Sequence, residues 1–312
     1  MPDTPHLLIA LAASHAPGCQ QALQTLQLPQ LGRLLARLAP AGSDAGSDTD
    51  PDMPHQRALA RHLGLPGTHT PWAAWQRQLA QGDAGDAAWA FVTPCQWLVG
   101  ADHVTMAAPA RLHLSDAESR VLLEIVAPWF AEDGITLHYH QPTRWFAQGA
   151  AFDGLACAAL ERVVQRDVRA WLPDAAQART LHRLHSEMQM LLYTHPFNDL
   201  RSAHGRPPVN AFWVHGAGRL DAAPAPVAPP EMPTELLDCA LHDNWPAWAD
   251  AWRRLDAGPV ARLAEQAARG QHVRLTLCGE RGAVSLEPRR GLAQKIQGVL
   301  RPQRFSQLRE QL

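Results

Sequence analysis

The stretch from residue 185 to 219, HSEMQMLLYTHPFNDLRSAHGRPPVNAFWVHGAGR, constrains the fold most, because a helix, a polar loop dense in donors and a buried strand follow one another there without a break. Ala178, Leu181, Leu184, His185, Met188, Leu191 and Leu192 recur at three and four residues, which lines one face of a helix with apolar groups. The helix should stop near His195, since the residue before a proline is pushed out of the helical region. Beyond Pro207 and Pro208, Val209 to Val214 is a short β-prone run closed by Gly216 and Gly218, the pattern of a buried strand.

Polar groups at the mouth of a strand are where α/β proteins keep ligands. Arg201 and Arg206 each offer a planar fork suited to carboxylate or phosphate oxygens, and His195, Asn198, His204 and Asn210 can supply further hydrogen bonds around one anion. These six residues are the candidate anion site. A scaffold role competes for each of them: Asn198 and Asp199 can cap the helix end or turn, while Arg201 can pair with Asp199 or Glu187.

Taken in order, His6 to Ala13 reads as a buried parallel strand, followed by a polar turn at Ser14, His15, Pro17 and Gly18. Residues 20 to 38 predict a helix kinked at Pro29. Residues 40 to 54, rich in Gly, Ser and Asp, read as a solvated acidic loop whose aspartates lack the ligand spacing and closing Glu of a calcium loop. Short helices follow at 55 to 63 and around Trp72, Trp75 and Leu79, and a domain boundary is placed at the turn from Gly82 to Asp86. The next segment predicts strands at 88–92, 104–106, 111–114, 135–139 and 144–147, and helices at 115–131 and 155–172, with Ser115 and Glu118 forming a capping box. Residues 221 to 234, rich in proline, read as an extended linker. Trp245, Trp248, Trp252 and Leu255 then stripe a helix suited to core or subunit packing, so a homodimer is one expectation. A helix at 259–269 and a hairpin of 273–278 with 283–286 follow.

HPFN, then R-x-x-x-G-R-P-P-V-N and the strand AFWVHGAGR, is similar to the corresponding parts of archaeal-type cofactor-independent phosphoglycerate mutases, and GDAAWAFVTPCQWLVGADHVTM looks like the domain that family inserts. The overall arrangement, with GDAAW…P…W…ADHVTM, resembles more closely the bacterial regulatory proteins of RpfE type, a mutase-like group without an established reaction. The resemblance implies an α/β fold with a three-layer alkaline-phosphatase-like core, built from residues 1–85 and 173–312, and a smaller inserted α+β domain, 86–172. In that superfamily the first strand delivers an aspartate to a divalent metal, whereas the equivalent ALAASHAPG here has no carboxylate. After residue 219 the only histidines are His242 and His272, so a two-metal phosphoryl-transfer site lacks several of its ligands. No metal ligand, cofactor or catalytic residue is therefore assigned. The implied function is that of a regulatory protein binding a small anionic ligand or a protein partner. The alternative is a phosphatase or mutase with a reduced metal site, using His195, Arg201 and His204. G-x-S-x-G, P-loop and G-x-G-x-x-G signatures are absent.

Two further constellations invite a metal reading. Asp102-His103 falls in the expected inserted domain, away from the core, and His138 with His140 alternates on one strand face without an adjacent third ligand. Five cysteines, far apart and never in a C-x-x-C pair, suggest neither a disulfide framework nor a thiolate zinc site, and suit a cytoplasmic setting. The apolar run at Leu7 to Ala13 follows Asp3 with no Lys or Arg before it, which a secretory signal requires, and no run is long enough to span a bilayer. With 46% apolar and 19% charged residues, the 312-residue chain can bury an ordinary core, and its net charge of −2 gives no global reason to bind nucleic acid. The basic end is the exception: Arg289, Arg290, Lys295, Arg301 and Arg304, with Leu292, Ile296 and Val299 on one face, make a helix that can contact nucleic acid or an acidic partner, or pack on the core with its charges in water.

Overall fold

The computed structural model describes residues 4–66, 69–82, 85–174, 178–222, 224–289 and 303–312. They divide into two compact units, Met1–Leu65 with Ala225–Leu312, and Pro66–Pro224. The chain begins in the first unit with β1 (His6–Ile9), α1 (Pro17–Thr25), α2 (Pro29–Leu35), β2 (Leu38–Ala45) and α3 (Pro54–Leu63). The second unit holds α4 (Trp72–Gln81), β3 (Trp89–Cys95), β4 (Trp97–Val99), β5 (Val104–Met106), α5 (Asp116–Glu132), β6 (Thr136–Gln141) and β7 (Arg144–Gln148). It closes with α6 (Leu160–Val163), α7 (Arg179–Tyr193), α8 (Pro196–Ala203) and β8 (Ala211–Gly218). The chain then returns to the first unit for α9 (Glu235–Leu241), α10 (Trp245–Leu255), α11 (Ala261–Ala268), β9 (Arg274–Cys278) and β10 (Gly282–Pro288).

The first unit is built on a sheet of order β1-β9-β10-β2, in which β1 and β9 are parallel and the other pairs antiparallel. Leu8, Cys278 and Ala283 pack with Ala58 of α3 on one face. Leu7, Ile9, Leu275, Leu277, Val284 and Leu286 alternate with these and are buried on the other. A sheet buried on both faces needs a helical layer on each side, so this unit is a helix-sheet-helix sandwich. Within the helices, the buried Asp256 follows α10 and its carboxylate accepts from the Gln30 and Leu31 N–H groups in the first turn of α2, at 3.1 and 2.8 Å, which satisfies donors a helix start leaves open. Trp248 and Trp252 of α10 are fully buried and donate their indole N–H groups to the Leu11 and Ala12 carbonyls, at 3.0 and 3.1 Å. Two members of the tryptophan stripe thus serve the core of their own unit.

Two expectations fail in this unit. The predicted loop at 40–54 contains β2, an edge strand paired only with β10, where a register shift falls between Ser285 and Leu286. Most of its side chains are exposed, so it has no apolar alternation to betray it. The single kinked helix at 20–38 is two helices, with Pro29 opening the second, where its missing N–H costs no bond.

The second unit carries an antiparallel sheet of order β6-β7-β3-β8 and a separate hairpin of β4 and β5. β8 pairs with β3 and shares no sheet with β1, which corrects the expected division: residues 195–218 lie in the same unit as residues 86–172, together with α4 and α7. Phe212 and Val214 join the cluster of Val92, Phe130, Leu184 and Met188 on one face of the sheet, while Trp213 packs with Cys95, Met106 and Val163 on the other. Burial on both faces makes the apolar run legible as a strand without saying which neighbour it takes.

The predicted strand at 111–114 is instead a short 3-10 turn at Pro109–Leu112. The predicted helix at 155–172 is reduced to α6 and a 3-10 turn, because Gln165 takes φ 60° and bridges to Thr105 and Met106 draw Val164 and Asp167 toward the hairpin. Arg290, Lys295 and Arg301, with Leu292, Ile296 and Val299, lie outside the described residues. Arg289 donates its N–H to the Arg37 carbonyl, and Arg304 precedes a short helix, Phe305–Leu308, that buries Leu308. Among the described residues no helix is long and apolar enough to cross a membrane.

Candidate anion-binding groove

α8 is defined at both ends by local chemistry. His195 precedes Pro196, and its Nδ1 accepts from the Phe197 N–H at 3.1 Å, so the ring caps the helix. At the other end Gly205 takes φ 66°, its N–H bonds the Ser202 carbonyl and the Arg206 N–H bonds the Arg201 carbonyl, both at 2.9 Å. This is the Schellman arrangement, and it folds the chain back so that Arg206 comes beside Arg201.

Both arginines meet one carboxylate, that of Glu118 in the first turn of α5. Arg201 Nη1 donates to Oε1 at 2.8 Å and Arg206 Nη1 to Oε2 at 2.7 Å. Ser115 donates its N–H and its hydroxyl to Oε2 at 3.0 and 2.8 Å, completing the capping box. Burial by itself raises the Glu118 pKa, but the hydrogen bonds from Ser115, the Arg201 charge and the Arg206 hydrogen bond outweigh it and hold the carboxyl below its ordinary value. The two arginines differ in access. Arg201 is 2% exposed and also donates from Nε to the Pro207 carbonyl at 2.9 Å and from Nη2 to the Leu112 carbonyl. The Arg206 side chain is 45% exposed. Arg206, His204 and Glu118 line a groove of about 420 Å³ together with Phe197, Val121 and Leu200.

The structure commits the other candidates to the main chain. Asn198 is buried; its Nδ2 donates to the Leu192 and Val209 carbonyls at 2.8 and 2.7 Å, and its Oδ1 accepts from the Val209 N–H at 2.9 Å. Asn210 holds both main-chain groups of Trp97, accepting at 2.7 Å and donating at 2.9 Å. His204 Nδ1 bonds the Leu200 carbonyl at 2.7 Å. The six residues therefore do not surround one anion: Arg201, His204 and Arg206 share the groove, Asn198 ties α7, α8 and the approach to β8 together, Asn210 ties that approach to the start of β4, and Arg201 pairs with Glu118 in place of the expected Asp199 or Glu187. Asn198→Ala should cost roughly 1–3 kcal/mol for the buried groups it orphans, and Asn198→Asp should cost more, because it turns an oxygen toward two carbonyls; urea unfolding of both variants measures this.

Glu118 was legible only as half of a capping box, and the groove's exposed apolar wall, Val121 and Leu200, carried no sequence signal because each sits off its helix's buried stripe. Other constellations have plain structural settings. Asp102 and His103 form an exposed pair at 2.7 Å in the β4–β5 turn. His138 packs on Trp89 and His140 on Phe146, with ring centroids 5.4 and 5.0 Å apart. Ser14 donates to Glu280 at 2.8 Å, and His15 Nδ1 lies 3.7 Å from the same carboxylate. Among the described residues, no three His, Cys, Asp or Glu side chains come together in a way that could hold a metal ion.

No protein-family model matches the chain, and no curated protein matches it. Among solved structures it is similar to the PH0037 protein from Pyrococcus horikoshii, at 12% identity over 92% of this chain and 87% of that one, with a TM-score of 0.46. It is also similar to a cofactor-independent phosphoglycerate mutase from Thermoplasma acidophilum, at 14% identity over 93% of this chain and 90% of that one, with a TM-score of 0.36.

Proposed function

We propose that the protein is a cytoplasmic, phosphoglycerate-mutase-like regulatory protein that binds a small anion carrying an apolar body and does not carry out metal-dependent phosphoryl transfer. The observation that carries this reading is the unequal pair of arginines on Glu118. Arg201 and the Ser115 hydrogen bonds keep that carboxylate in place, so an incoming carboxylate or phosphate can take the outward Arg206 without leaving Glu118 unpaired. Val121 and Leu200, 48% and 64% exposed, offer the apolar part a wall in the same groove. The lack of a carboxylate in ALAASHAPG, where the resembled enzymes place a metal ligand, supports the non-catalytic part of the reading.

Calorimetric titration with phenyl phosphate and phenylacetate, which join an anion to an apolar body, and with 3-phosphoglycerate as the purely polar comparison tests it. Arg206→Ala should remove charge-assisted hydrogen bonds worth about 1.5 to 3 kcal/mol and weaken binding by about one to two orders of magnitude, while unfolding free energy changes by no more than about 1 kcal/mol, as for other exposed ion pairs. Equal affinity of the native and Arg206→Ala proteins would reduce the groove to scaffold. Mutase or phosphatase turnover with Mn²⁺, Mg²⁺ or Zn²⁺ that disappears in His195→Ala would replace this reading by the enzymatic one.

A further inference from the structure

The first unit holds a cavity of about 340 Å³ between the α1–α2 pair and the Phe305–Leu308 helix. That is the lower end of the range for small-molecule sites. Leu23 of α1, Leu26 and Leu28 of the connection, and Leu31 and Leu35 of α2 give it, with Phe305, an apolar wall. Leu31 and Leu35 are fully buried, and Phe305 stands edge to face on the buried Trp252 with ring centroids 5.5 Å apart, so the core holds this wall in shape.

Gly32 lines the same cavity from the middle of α2, its N–H on the Leu28 carbonyl at 3.0 Å and its carbonyl accepting from the Ala36 N–H at 3.2 Å. Glycine inside a helix costs stability relative to alanine. Neither a turn nor a close neighbour requires it here, because a Cβ at Gly32 would meet nothing within 4 Å. The room a side chain would fill belongs to the cavity. Arg304, exposed, and Arg309, half-buried, are the charged residues on the wall, and no carboxylate lines it. Among the described residues neither guanidinium forms an ion pair. Asp256 has its carboxylate on the Gln30 and Leu31 N–H groups and is not on this wall. An apolar slot with two unpaired cations matches a molecule with one alkyl tail and one anionic head.

We propose that this cavity binds a medium-chain fatty acid as its carboxylate. The alkyl chain lies along the leucines and over Gly32, and the carboxylate takes Arg304 and Arg309. The volume admits one unbranched chain and excludes a two-chain lipid. This site is independent of the groove on Glu118, which belongs to the other unit.

Equilibrium dialysis of the full chain carrying Arg206→Ala, which takes the outward cation from the other groove, against radiolabelled decanoate, octanoate and decanol tests the proposal. Decanoate should bind about tenfold more tightly than octanoate, as two further buried methylenes require. It should also bind about tenfold more tightly than decanol, which has the same chain without the charge. Gly32→Leu, whose side chain enters open space from a helical position, should keep or raise the thermal midpoint and weaken decanoate at least tenfold. Arg304→Met combined with Arg309→Met should bring decanoate down to the affinity of decanol. Equal binding of decanoate and decanol, affinity indifferent to chain length, decanoate binding that survives Gly32→Leu, or none at millimolar ligand would each overturn the proposal. The comparisons of chain and head group decide it whether or not the cavity variants fold.

Discussion

Acidification from pH 7 to 4.5 is expected to destabilise the protein through three histidines that the fold holds neutral, His6 and His185 buried and His215 partly buried. Burial lowers the pKa of His6 to about 3, helped by His62 and Arg274. Burial lowers His185 to about 4, with a hydrogen bond to the Phe212 main chain pulling the other way and His182 adding slightly. Burial also lowers His215 to about 3, helped by the Arg144 charge. Each ring stays neutral in the fold while the unfolded chain takes up a proton near pH 6.5, so the stability they permit is complete above about pH 6.5 and falls as pH drops toward 4. Each contributes about 1.4 kcal/mol per pH unit, or roughly 2.7 kcal/mol at pH 4.5. His185 and His215 together then remove about 5 kcal/mol from the second unit, a large share of a typical unfolding free energy of about 5–15 kcal/mol. Urea titrations between pH 7 and 4.5 should show a falling midpoint, and His185→Leu, which keeps the apolar contacts with Trp97 and Phe212, should reduce proton uptake on unfolding by about one. A midpoint that stays constant across this range would contradict the account.

The other large effect is expected from Arg201→Ala. Its guanidinium bonds Glu118 and the Pro207 and Leu112 carbonyls from a nearly sealed position, so truncation orphans two main-chain acceptors and takes away the Arg201 donor on Oε1 of the Glu118 carboxylate. Breaking a buried pair by removing one member costs about 3–5 kcal/mol. Arg201→Lys should recover little, because an ammonium cannot reach three acceptors in the directions of a planar fork. Guanidinium chloride unfolding of the two variants beside Arg206→Ala makes the comparison: a small change for Arg206→Ala and a large one for both Arg201 variants is the expected pattern, and a fully stable Arg201→Ala would show that Glu118 and the carbonyls find water instead.

That contrast also shows where reading the residues alone stopped. Arg201 and Arg206 looked equivalent in RSAHGR, since both are arginines in a polar loop. Their difference comes from α5, whose Glu118 lies more than eighty positions earlier and faces both. The same holds for Asn198, which could be recognised as a capping residue but not as the tie between Leu192 and Val209.

By itself the order of residues determined most elements whose signal is local: α7 from its apolar stripe, α5 from its capping box, the end of α7 at His195-Pro196, the β9–β10 hairpin and β8 as a buried run. Periodicity, caps and prolines act within a few residues, so they are visible in a string. Tertiary structure alone decided that β8 joins β3, that the polar segment Leu38–Ala45 becomes a strand on β10, and that Leu155–Leu172 gives up its helix for bridges to the hairpin. Strand partnership depends on which faces meet across distant parts of the chain, and a run buried on both sides, or exposed on most of its length, carries no mark of its neighbour.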